Sequence, residues 1–227
     1  MLLTPGPFCG TSKLKRVPPR GNPDSYPRSD KDAQRLLALG TLGWATATQV
    51  AHFHHESLDP VQTWLRKAAK YGLATMYQVE QADGRKAPHL FTLGPVGQAW
   101  VNMSITTKPA WATVVANQLW LRWRDAVPGW TWEVPRLEGT EAAMSKGTSL
   151  IHVACPRIGE EGERAEALAG LGSAQIIVAV TDQEAMERFA RTWKGKAEVQ
   201  LTTDRLLWIE DFGHLWTRVQ DVLSLVS

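Results

Sequence analysis

The sequence predicts a mixed chain, α+β in its first part and α/β in its second, on three observations. Helical periodicity runs through residues 30–72 and then gives way to a hairpin pattern over 74–93. A continuous apolar run, Gln175–Val180, has the composition of a strand covered on both faces. The opening 28 residues mix Pro and Gly with Lys13, Lys15, Arg16, Arg20 and Arg28 without any period. They predict a flexible basic arm over 1–28, either lying along phosphates or in a minor groove or serving as a leader without a role, followed by domains at 29–104 and 105–227.

The first helix is expected to start at Ser29 or Asp30, either of which can cap it, with Ala33, Leu36, Leu37 and Leu39 as its apolar stripe. A second follows Thr46 or Thr48, with Val50, Ala51 and Phe53 facing inward. A third has Asp59 at the cap and Pro60 at the first helical position, where a missing N–H costs nothing. Its apolar face is Val61, Trp64, Leu65 and Ala68, and Gly72 stops it. Ala74–Glu80 and His89–Leu93 read as strands around an Ala82-Asp83-Gly84-Arg85 turn. Gly94-Pro95 opens a fourth helix.

Three helices and then a hairpin is the order of a winged helix-turn-helix, in which the third helix enters the major groove of DNA. The face left over after packing carries Gln62, Thr63, Arg66, Lys67 and Lys70, with no acid from Val61 to Val79. Gln and Arg read base edges, whereas Lys and Thr more often hold phosphate. Arg85 and Lys86 at the wing tip, and Thr48 at the second helix, complete the expected DNA-binding set. Plain solvation also produces polar helix faces, and winged helices also bind proteins.

In the second domain, 108–126 reads as a long Trp-rich helix, Trp130–Val134 and Ser149–Cys155 as strands, and Glu160–Leu171 as a helix. After Gln175–Val180 come a helix capped by Asp182, a strand at Ala197–Leu201 and a closing helix over Asp211–Leu225. Gly139–Gly147 reads as a polar loop with Lys146 solvated. The element order resembles a degenerate restriction-endonuclease-like fold. A nuclease on that fold needs carboxylates on neighbouring strands for Mg²⁺ and a nearby Lys. Glu133 is one such carboxylate, but Ile151–Cys155 has no acid-x-Lys pair, so Glu133 is expected to pair with Arg136 or Arg157. No catalytic residue, metal or cofactor is expected.

Bulk properties narrow the classes further. Residues 1–90 carry 12 Lys and Arg against 7 Asp and Glu, and residues 91–227 carry 13 against 16, so an anionic partner would meet the front half. There is no apolar stretch long enough for a membrane helix, and Pro5, Pro7 and Gly10 break the only candidate signal core, so a cytoplasmic location is expected. Cys9 and Cys155, isolated from each other, form neither a disulfide framework nor a thiolate site. His52, His54 and His55 cluster without an Asp or Cys to complete a metal set. Gly170-Leu171-Gly172 follows a helix and lacks the Gly-Lys-Ser/Thr of a phosphate loop.

Arg35–Phe53, Trp64–Ala74 and His89–Trp100 together resemble the replication-relaxation family of bacterial plasmids and mobile elements. The matching positions are Thr46 to Val50, Leu65-Arg66, Gly72-Leu73, Phe91 to Leu93 and Gly97, within residues 33–101. The resemblance implies a double-stranded DNA-binding accessory protein in replication, mobilisation or copy control, or in transcription control. It also implies a nuclease-like C-terminal domain. Here that domain lacks the family's acidic pattern, which favours a scaffold or partner-binding role. A homodimer reading a palindrome fits this picture. The alternative is a non-enzymatic adaptor in a replication or transfer complex.

Overall fold

The computed structural model describes residues 13–80, 88–104, 110–133, 139–172, 175–209 and 212–226. The described residues divide into two compact units, the first running to Asn117 and the second starting at Gln118. Each unit is mixed α and β around one sheet. The division falls inside a helix rather than at the expected 104/105.

In the first unit Ser29 opens helix α1 (Asp30–Leu42), its Oγ accepting the Asp32 N–H at 3.2 Å. A two-residue strand, β2 (Ala45–Thr46), separates α1 from α2 (Ala47–His54). Thr46 and Gln49 form a reciprocal capping box: the Gln49 N–H donates to Thr46 Oγ1 at 3.2 Å and the Thr46 N–H to Gln49 Oε1 at 3.1 Å. The buried Gln49 amide also donates to the Val114 carbonyl at 2.7 Å, and Asn117 donates to the carbonyls of Leu42 and Trp44. These bonds tie the first half of α5 (Ala110–Ala126) to the α1–α2 junction.

Helix α3 (Leu58–Lys70) starts two residues ahead of the expected Pro60, with Ser57 rather than Asp59 in the cap position. Strands β3 (Ala74–Glu80) and β4 (Leu90–Leu93) follow, then α4 (Pro95–Val101). A Cβ on Gly97 would lie 2.1 Å from the Leu73 carbonyl oxygen, so α4 meets the start of β3 where only glycine fits. The core is Leu36, Leu39, Val50, Val61, Leu65 and Phe91, each no more than 2% exposed. Each contributes about 1.5–3 kcal/mol by leaving water.

The flexible arm expected over 1–28 needs correction from Lys13 onward, residues 1–12 lying outside the described residues. Lys13–Val17 form strand β1, antiparallel to β3 along its whole length, and the sheet order is β1-β3-β4-β2. Pro23–Ser25 form a 3₁₀ turn, with the Asn22 side chain accepting the Asp24 N–H. The partner of β1 lies more than 50 residues downstream, where local composition gives no sign of it.

The second unit holds a six-stranded sheet ordered β10-β9-β8-β7-β6-β5. β5 (Thr131–Glu133), β6 (Ala142–Lys146) and β7 (Ser149–Ala154) are antiparallel. β7, β8 (Gln175–Val180) and β9 (Glu198–Thr203) are parallel, and β10 (Thr217–Arg218) returns antiparallel at the edge. Helices α6 (Glu161–Ala169), α7 (Gln183–Thr192) and α9 (Val219–Val226) share a core with Ala154, Val178, Val180, Val199 and Leu201.

Two expectations in this unit are overturned. The loop assigned to 139–147 contains β6, whose Ala142, Ala143 and Met144 are all buried. Alanine and methionine carry little β signal, so pairing with β5 on one side and with β7 on the other made this strand. Lys146 is exposed as expected, and its Nζ donates to the Pro128 carbonyl at 3.1 Å. The closing helix starts only at Val219, after a 3₁₀ turn at Phe212–His214 and β10. A short helix, α8 (Asp204–Ile209), is an addition. Among the described residues no helix is long and apolar enough to cross a membrane.

Candidate nucleic-acid interface

α3 is strongly two-sided. Val61, Trp64, Leu65, Ala68 and Ala69 are buried, while Thr63, Arg66, Lys67 and Lys70 are exposed and Gln62 is half-buried at the border. Residues three and four apart share a face, so Thr63, Arg66 and Lys70 align along the outside. Asp59, in the first turn of that face, is the helix's only acid and sits where the positive helix end favours it. Among the described residues Arg66, Lys67 and Lys70 have no carboxylate within ion-pair distance.

Two of these cations rest on aromatic rings. Lys67 Nζ lies 5.1 Å from the centre of the Tyr26 ring, and Lys70 Nζ lies 5.4 Å from that of Tyr71. The two rings meet edge-on at 5.4 Å. Tyr26 is buried, and burial followed by the charge of Asp32 pushes its phenol up to about 12, so it stays neutral. The segment before it closes the helix end: the Arg20 and Gly21 N–H groups donate to the Lys70 carbonyl at 3.0 and 2.8 Å. At Gly21 a Cβ would press into the Tyr71 ring at 2.6 Å.

Arg66 also marks the way from helix to sheet. His89, just ahead of β4, is held below the ordinary imidazole value, first by burial and then by the positive charge of Arg66. Thr48 lies half-buried in the first turn of α2. Arg85, Lys86 and the Ala82–Arg85 turn lie outside the described residues. The arrangement as it stands can hold an anion: three exposed cations, two of them steadied on tyrosine rings, on the outer side of a helix whose inner side is fixed in the core. Tyr26, Tyr71, His89 and β1 were missed in the sequence. Lys-Leu-Lys in β1 alternates too briefly to set a period.

The second unit uses its charges differently. Glu141 Oε2 accepts the Cys155 N–H at 2.6 Å and Oε1 takes a bond from Arg164 at 3.4 Å. Buried Glu161 accepts from Arg188 at 2.9 Å and from the Gly159 N–H at 2.8 Å. Arg157 is exposed, and its backbone N–H donates to Glu160. Arg136 and the Glu133 side chain lie outside the described residues. Burial lowers the pKa of His152. Among the described residues no three His, Cys, Asp or Glu side chains are grouped to hold a metal ion.

No family model, curated protein or solved structure matches the chain.

Proposed function

We propose that the first unit is a winged helix-turn-helix domain that binds duplex DNA, with α3 in the major groove. One observation carries this reading: α3 presents Arg66, Lys67 and Lys70 to solvent without a carboxylate partner among the described residues, while its other side is locked into the core. Phosphate neutralisation dominates affinity for DNA, so unpaired cations on a rigid helix are what such a surface requires. The element order adds support. β2 lies between α1 and α2 and pairs with β4, so the helices sit on a small antiparallel sheet ending in a hairpin. Arg66 and Gln62 are the residues for base edges, and Thr63, Lys67, Lys70 and Thr48 those for phosphate. Arg85 and Lys86 are the residues for the wing tip.

On this reading the chain is a non-enzymatic DNA-binding protein of the replication-relaxation type, acting in plasmid or mobile-element replication, mobilisation or transcription. The second unit, of restriction-endonuclease-like character without its metal site, serves assembly. A homodimer on a palindromic site is the corresponding partner state. The test is fluorescence anisotropy with duplexes tiled across the encoding element, at two salt concentrations with Mg²⁺ present. Tight, salt-sensitive binding to one duplex is expected. Arg66→Ala/Lys70→Ala should weaken it on the order of 100-fold, at 1–3 kcal/mol per contact. Equal binding by the double variant, or no binding above background, would overturn the DNA reading and leave a protein-binding adaptor in its place.

A further inference from the structure

β1 adds a third strand to the hairpin, and its register fixes where each side chain points. Residues directly opposite in an antiparallel pair share a face. Val17 stands opposite Met76, and Met76 packs against the helical core with Phe91, so this is the α3 side of the sheet. Two steps along, Lys15 stands opposite Gln78, and two further on Lys13 stands opposite Glu80, both on that same side. Arg16 stands opposite Tyr77, whose ring meets Trp44 at 4.9 Å on the other side of the sheet. Leu14, opposite Val79, also belongs to that far side. Lys13, Lys15 and Arg16 are all exposed.

Lys15 and Gln78 are therefore exposed on the side of the sheet that packs against the helical core, the side that α3 covers. We propose that Lys13 and Lys15 extend the duplex-binding surface of α3 by contacting the DNA backbone, and that Arg16, turned to the far side, takes no part. The proposal rests on duplex binding by α3. These contacts hold phosphate, so they add affinity without changing which sequence is preferred.

The test compares Lys13→Gln/Lys15→Gln with Arg16→Gln in the full chain, using the tightest-binding labelled duplex and a salt series. Thermal melts check that both variants fold. Each phosphate contact contributes about 0.9 to the slope of log affinity against log salt. The lysine pair should flatten that slope by about 1–2, weaken binding on the order of tenfold, and keep the ranking of duplexes. Arg16→Gln should leave slope and affinity in place. An unchanged slope in the lysine variant, with Arg66→Ala/Lys70→Ala still weakening binding strongly, would overturn the β1 proposal alone. An equal loss from Arg16→Gln would also overturn it, since any basic chain would then serve. If the unaltered chain binds no duplex, both proposals fall together.

Discussion

Helices α3 and α7 each bury one face and carry cations on the other, yet the two treat those cations in opposite ways. On α7, Arg188 bonds Glu161 at 2.9 Å and approaches Glu184 at 3.8 Å, and Arg191 meets Glu187 at 3.5 Å. On α3, Arg66, Lys67 and Lys70 have no such partners among the described residues, and two of them lean on neutral rings. A charged face is by itself only a solvated face. The presence or absence of intramolecular acids separates a charge that stabilises the fold from one left for a partner.

The contrast predicts opposite consequences for similar substitutions. Arg188→Ala leaves the Glu161 side chain, 2% exposed, without its guanidinium. It should cost about 2–3 kcal/mol in denaturant unfolding, less than a fully buried pair because Arg188 is partly open to water. It should leave DNA binding unchanged. Arg66→Ala should shift unfolding by no more than about 0.5 kcal/mol, as for other surface sites. Equal stability losses at the two positions would erase the distinction.

A second comparison sits within the first unit, where one cation cluster does have its acid. Glu56 accepts from Arg35 Nε at 3.1 Å and meets Lys31 at 2.9 Å, and these bonds, Arg35 first, bring its carboxyl down to about 2. A depressed carboxylate stabilises the fold above its unfolded value of 4.5, and that contribution is lost as pH falls from there toward 2. Glu56→Gln should therefore cost about 1.5–3 kcal/mol at neutral pH, as for hydrogen bonds to charged groups. It should also flatten the acid limb of a pH–stability curve. An acid limb unchanged in the variant would mean that other carboxylates set it.

The smallest effect concerns His89. Its proton-detected titration should lie below the ordinary imidazole value, and Arg66→Gln should raise it part of the way back, since burial remains the larger cause. No movement in the variant would mean that burial alone lowers it.

Much of the first unit was legible because its signals are local. The Thr46 cap, the Val61–Trp64–Leu65–Ala68 stripe and the Gly72 stop, at φ 76°, all lie within a few residues of what they determine. The exposed set on α3 followed from the same period. β1 and β2 were not legible, because each exists through a partner distant in sequence: Glu80 opposite Lys13 and Leu90 opposite Thr46. β6 pairs with β7 only a few residues on, Lys146 opposite Ser149, and escaped for a different reason. Ala142–Lys146 lacks the branched residues that announce a strand. Tyr26 and Tyr71 escaped notice because a ring beneath a lysine is a tertiary fact, invisible until the chain before α1 is seen to fold back.

That fold-back bears on where the polypeptide can be shortened. Composition invites a cut at Ser29, just before the first regular helix. Yet the Arg20 and Gly21 amides close the end of α3, and Tyr26 covers Tyr71 there. A chain begun at Ser29 would expose that aromatic ring and return the Lys70 carbonyl to water. Its basic helix would fray from the end that carries the lysines, and fragment mapping would then mistake a missing buttress for a missing contact.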